Sequence, residues 1–421
     1  MNPSGAPVRR FGAGHGVVLA LSVAVVTAVA VLLAQFVAVV PGDRAYAAAG
    51  IPATGPMLPP GENPLYAIQE VLEKQSAALL RGDRAGYLRA IPATQGELRA
   101  QATARFTTLT ALRVRKWTMT TIGIPGRVDD IWKLSVDISY CFDRDDCAPL
   151  DARVETRWAV PDGRLQLVAY EGSDRPWDDG TALVVKDGAR VTVASADADP
   201  AILDRVLRAA EAAAVTNDRF ATTLGGAPQR YHVYVAGDEE WLEWYGGASE
   251  NAAAFTIPLA PGVSDVVVDH GTVTSDGWAT TLLTHEFAHV VSLGGENPPY
   301  SAWWLTEGIA EYIANTDGSV LEDDLRSVRR YLAASKWDGT VTLGPPPSGT
   351  SLADANARYG IAFLTVQYLA DRFGEERMLA FFTQVVRRDV AVDAASRSVF
   401  GTAWSPVAKD AASSIRAAAQ A

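Results

Sequence analysis

Thr284-His285-Glu286-Phe287-Ala288-His289 lies in an apolar stretch that opens after Ser275-Asp276-Gly277 and stops at Gly294-Gly295. Leu282, Leu283, Val290 and Val291 flank the hexapeptide, so the spacing predicts a buried helix closed by the glycine pair. Residues four apart share one helical face. His285 and His289 can therefore bind one Zn²⁺ through ring nitrogens, with Glu286 beside them to take a proton from a water that the metal activates. A catalytic zinc needs a third protein ligand. A metzincin arrangement would put Gly at 292 and His at 295, whereas this chain has Ser292 and Gly295. The other histidines are His15, His232 and His270, and His15 precedes an apolar segment suited to a membrane. A distal carboxylate is the better candidate. Trp304-Leu305-Thr306-Glu307-Gly308-Ile309-Ala310-Glu311-Tyr312 offers one at the start of a second helix, eighteen positions after His289. A helix pair joined by the loop Gly294–Pro299 can bring Glu307 to the histidines. Glu311, one turn further on the same face, can then reach a ligating histidine from outside.

The pair HEFAH and LTEGIAEY resembles the gluzincin zinc metallopeptidases, in particular the peptidase-MA-like group, over about residues 182–382. The resemblance implies one Zn²⁺ per chain held by His285, His289 and Glu307, and a peptide or protein substrate. It also implies hydrolysis of peptide bonds by a metal-activated water, with Glu286 as general base. In such enzymes a Tyr or His from a later helix donates a hydrogen bond to the oxyanion, and Tyr359 in Arg358-Tyr359-Gly360 matches that place; its other use is packing. Trp303 and Trp304 have the same two uses, lining a cleft or filling a core. The alternative of another class is a membrane-tethered binding or sensor protein that keeps the peptidase fold without turnover. The intact quartet His285, Glu286, His289 and Glu307 speaks against it.

Outward from this region the chain divides into four parts. Residues 1–46 hold Arg9, Arg10 and an uncharged run of 24 residues from Val17 to Val40, long enough to span a bilayer. Ala45-Tyr46-Ala47 has the small-x-small form of a signal-peptidase site. The segment is thus an anchor with the rest of the chain outside the cell membrane, or a signal removed near Ala47 with the rest secreted. Residues 47–64 are a Pro/Gly/Ala linker. Residues 65–177 alternate in a way that predicts a small α+β domain, with strands at Leu112–Ile122, Ile131–Cys141, Ala152–Val160 and Leu165–Tyr170. Its pattern is similar to the cystatin-like or nuclear-transport-factor-like shape. Arg81-Gly82-Asp83 there reads as a turn rather than an adhesion motif. Residues 178–421 form the zincin-type part: a hairpin around Asp187-Gly188, an Ala-rich helix capped by Asp199-Pro200, strands at Tyr231–Ala236 and Val263–Asp269, and helices from Trp278 onward. The fold class is therefore α+β, a helix-plus-curved-antiparallel-sheet domain followed by a mixed sheet with a mostly helical C-terminal half.

Cys141 and Cys147 are the only cysteines, and in an exported chain such a close pair suggests a disulfide clipping a short loop. The net charge of −12 without a basic block argues against a nucleic-acid partner.

Overall fold

The computed structural model describes residues 55–58, 62–247, 252–315 and 321–420. The run Val17–Val40 and Ala45-Tyr46-Ala47 lie outside them. No helix among the described residues is long and apolar enough to cross a membrane.

The fold is α+β. Helices α1 (Leu65–Leu80), α2 (Arg84–Tyr87) and α3 (Gly96–Ala111) precede strands β1 (Val114–Val128), β2 (Ile131–Phe142), β3 (Leu150–Ala159) and β4 (Gln166–Glu171). The four strands form a curved antiparallel sheet in the order β1-β2-β3-β4. A five-stranded mixed sheet follows, ordered β5-β6-β7-β9-β8, from β5 (Val184–Asp187), β6 (Val191–Ser195), β7 (Tyr231–Ala236), β8 (Ala254–Ala260) and β9 (Val263–Asp269). Strands β6, β7 and β9 run parallel, and β5 and β8 are antiparallel edges. Between them lie α4 (Pro200–Leu224) and α5 (Asp238–Glu243), and after β9 the chain is helical. These helices are α6 (Asp276–Leu293), α7 (Trp303–Ala314), α8 (Leu321–Ala333), α9 (Leu352–Phe373), α10 (Glu375–Phe382), α11 (Val392–Phe400) and α12 (Trp404–Gln420).

Local chemistry accounts for the boundaries that matter. Asp199 accepts from Ala201 N ahead of Pro200 and caps α4, and Ser275 accepts from Trp278 N and caps α6, each satisfying an orphan amide. Gly82, at φ 70°, makes the turn of Arg81-Gly82-Asp83, and Asp83 caps α2 through Gly86 N at 2.9 Å. Three elements depart from the sequence reading, which has no helix over 96–111 or 238–243 and no strand over 254–260. In α3, Leu98, Ala102, Phe106 and Leu109 are buried at helical spacing, but four interleaved threonines dilute the stripe. In β8, Pro258 and the two alanines Ala254 and Ala260 hide the pattern, and proline is tolerated there because β8 is an edge. Within the stretch read as a linker, Leu58 is buried and its N–H donates to Gly163 O at 2.6 Å, while Met57 bridges Arg164.

The mixed sheet is covered on both faces, so its central strands β6, β7 and β9 are mostly apolar. Val191, Val193, Tyr231, Val233, Val235, Val266 and Val268 meet α4, α6 and the later helices in one core. Ala194, Tyr234, Ala236, Phe255 and Val267 point into a second core shared with Trp117 and Tyr140 of the first sheet and with Trp177. Cys141 and Cys147 are joined as a disulfide where β2 ends.

A charged junction closes the edge of that second core. His232 on β7 contacts Asp143, just after β2, at 2.8 Å and Asp265 on β9 at 3.7 Å. Arg113 pairs with Asp143 at 2.6 Å and with Asp187 at 2.5 Å, Arg230 lies 3.5 Å from Asp187, and Tyr245 donates to Asp265. Burial alone would lower the His232 pKa, but Asp143 and Asp265 bring it up to about 9. The imidazolium therefore stabilises the fold fully below the unfolded value of about 6.5, and this contribution is lost as pH rises through about 9. Thermal midpoints measured from pH 6 to pH 9.5 should fall across that window. The decline should be shallower in His232→Gln, which removes the titrating group.

Candidate metal centre

Helix α6 is held from three sides. Asn217 of α4 donates its side-chain amide to Thr284 O and to Ala213 O, both at 3.0 Å. Tyr231 of β7 stacks on Phe287 with ring centroids 4.0 Å apart and planes 13° apart. At the C-terminus Gly294 takes the left-handed conformation at φ 60°, ψ 35°, and its carbonyl accepts from Gly262 N at 2.7 Å. A Cβ on Gly295, at φ 79°, would lie 1.8 Å from Ala260 O, so the β8–β9 turn passes as close as it does because glycine is there. Arg387, from a π-helical turn at Thr383–Arg387, donates to Leu224 O, and a Cβ on Gly294 would lie 2.9 Å from its guanidinium. It sets one cation against the negative ends of α4 and α6.

The sequence-predicted residues meet inside this frame. His285, Glu286, His289, Glu307 and Tyr359 are all at most 2 % exposed. His285 Nε2 and His289 Nε2 are 3.1 Å apart, and Glu307 Oε2 lies 3.4 Å from the first and 3.3 Å from the second. Zinc–ligand bonds of about 2.0–2.1 Å in a tetrahedron imply ligand–ligand edges of about 3.3 Å. These three potential ligand atoms thus form one triangular face of the size a tetrahedral metal ion such as zinc requires. His285 Nδ1 lies 3.2 Å from Glu311 Oε1 on the side away from that face. Burial would raise the Glu307 pKa, but the imidazoles of His289 and His285 bring it down to about 2. For His285 burial works downward, and Glu311, Glu307 and Glu286 hold the pKa well above the ordinary imidazole value.

Glu286 has two differently placed oxygens. Oε2 accepts from Thr256 Oγ1 at 2.7 Å, and the same hydroxyl lies 3.1 Å from Glu286 O. Oε1 is buried with no hydrogen-bond partner. Burial raises the Glu286 pKa against the pull of His285, His289 and Thr256. Thr256 belongs to β8, the strand missing from the sequence reading, and nothing in its neighbourhood marks it as a site residue. Tyr359 of α9 packs edge-on against Trp303 at 5.1 Å, and its buried hydroxyl has no partner. Burial, reinforced by Glu307, Glu311 and Glu286, pushes its pKa well up and keeps it a proton donor. Trp304 is fully buried against Trp404 and Phe381, at 5.4 and 6.4 Å.

No protein-family model matches the chain, and no curated protein sequence does. Among solved structures the chain is similar to the M1 zinc metallopeptidase from Deinococcus radiodurans, at 13 % identity and a TM-score of 0.30. The match covers 72 % of this chain and 60 % of that enzyme, so it spans less than two thirds of the enzyme's length. A likeness of that size carries no argument about what the site does.

Glu307 owes its placement to the residue after it. A Cβ on Gly308 would lie 2.6 Å from Ala362 O and 2.7 Å from Val366 Cγ2 of α9. Gly308→Ala should force α7 outward and cost about 1–3 kcal/mol, as overpacking does. It should also weaken metal binding by moving Glu307. Thermal midpoints with and without metal would check both effects; an unchanged midpoint and metal affinity would show that the close approach does not set the site.

Proposed function

We propose that the chain is a zinc-dependent peptidase. The observation that carries this reading is the convergence of His285 Nε2, His289 Nε2 and Glu307 Oε2 at separations of 3.1 to 3.4 Å in a buried site. Two imidazoles and one carboxylate are a donor set that zinc takes in hydrolytic sites, where it keeps one position open. Zinc bound there would polarise the scissile carbonyl and lower the pKa of water toward neutrality.

The chain's own groups supply the rest. Glu286 accepts the proton at Oε1 while Thr256 fixes Oε2, and then passes it to the departing amine. Tyr359, neutral and without a hydrogen-bond partner, donates to the oxyanion. Glu311 orients the His285 ring through Nδ1. Strand β8 ends its sheet beside Glu286, so an extended peptide has a strand edge to pair with.

The purified protein should hold one zinc per chain and lose it in His285→Ala. Glu286→Gln should keep the metal while hydrolysis of a peptide library falls at least ~10²-fold, the lower range for general acid–base catalysis. Glu307→Gln should bind zinc more weakly, because a neutral oxygen replaces an anionic one, and Glu311→Ala should cost ~10–100-fold in affinity or activity. Full hydrolysis by Glu286→Gln, or unaltered zinc affinity in Glu307→Gln, would refute the assignment.

The reading places the enzyme outside the cytoplasm, tethered by Val17–Val40 or released near Ala47, where Cys141 and Cys147 meet oxidising conditions. Protease added to intact cells should cut the tethered form, and alkylation should find no free thiol. Shielding from the protease with nothing in the medium would count against export.

A further inference from the structure

A cavity of ≈ 430 Å³ lies in the first domain, between α1, α2 and the segment at Gly55 and Pro56. Its size falls within the ~300–1,000 Å³ of small-ligand sites. Three features define what it would accept. The wall is apolar where Val71, Ala78, Tyr87 and Ala90 meet it. Arg81 and Arg89 stand in the exposed part of the lining. Lys74 stands there too but pairs with Glu70 at 2.5 Å, whereas no carboxylate among the described residues is ion-paired with either arginine. The one acid in the wall, Asp83, is turned to the backbone and caps α2 through Gly86 N. Gln75 is 6 % exposed; its Nε2 donates to Tyr87 O at 3.1 Å, and no described group donates to its Oε1.

We propose that this cavity binds the free C-terminal end of a peptide whose last residue is apolar. The side chain takes the apolar wall and the carboxylate meets the Arg81 and Arg89 guanidinia. The last amide N–H donates to Gln75 Oε1. Carboxylate capture of this kind is an established mode of peptide recognition, and guanidinium is the donor suited to it. In a chain of net charge −12, a lining with more cations than anions selects an anionic end locally. The proposal is independent of hydrolysis at the buried His/Glu cluster.

The probe is a dye-tagged tetrapeptide of three alanines and a C-terminal leucine, followed by fluorescence anisotropy on the full chain. Chelator and the Glu286→Gln background keep the probe intact, so failure here and failure of the peptidase reading are separable. Saturable binding of one probe per chain is expected. The C-terminal amide, or the acid with its last amide N-methylated, should bind at least about tenfold more weakly, as should the acid to an Arg81→Gln/Arg89→Gln variant with unchanged thermal midpoint. Equal binding of acid and amide, no saturation, or indifference to the double variant would overturn the proposal. Displacement by decanoate at an equal or lower concentration than by untagged peptide would also overturn it, because that acid has no N–H.

Discussion

The protein is organised around a crowd of like charges held away from water. Glu286, Glu307 and Glu311 surround His285 and His289, and all of these but Glu311 are at most 2 % exposed. Burying unpaired carboxylates is costly, and two imidazoles cannot balance three of them even when both are protonated. Such a cluster persists only where its scaffold is stiff and bound protons or a cation offset the charge. The stiffness is visible: α4 grips α6 through Asn217, the sheet grips it through Tyr231, and α7 is pressed onto α9 at Gly308. Each contact fixes backbone and leaves little room for the acids to drift apart.

The helix pair was legible in the sequence because its logic is local. HExxH needs only the pitch of one helix, and Glu307 needs one more helix after a short loop. What escaped was set by contacts distant in the chain. Thr256 reaches Glu286 from thirty residues upstream, on a strand whose Pro258 and alanines give no β signal. Arg387 reaches the end of α4 from 163 residues away, and no motif announces a π-helical turn. Helix α3 was hidden for another reason: its threonines favour extended backbone locally, and the decision for helix comes from the packing of Phe106 and Leu109 in the second core.

The division at residue 178 also reads differently in sequence and in space. Composition changes near Trp177, yet Trp177 packs edge-on at 5.1 Å against both Trp117 and Tyr140, in the core that covers the outer face of the mixed sheet. The His232–Asp143 contact adds a charged tie at the same junction. The first sheet is thus the second wall of the sheet that carries β8. Thr256 sits on that strand, so the first sheet supports the site through packing although it contributes no residue to it.

Two buried glutamates 21 positions apart show how the same side chain acquires opposite properties. Burial pushes both carboxyls toward the neutral form. Glu307 lies within 3.4 Å of two imidazole nitrogens, and this attraction overrides burial and keeps it anionic. Glu286 has its nearest polar partner in a neutral hydroxyl, so burial prevails and its pKa is raised. An anion that stays charged suits a ligand. A carboxylate for which taking a proton costs little suits a base. The division of labour proposed for them therefore follows from which neighbour each oxygen meets, with no difference in the residue itself.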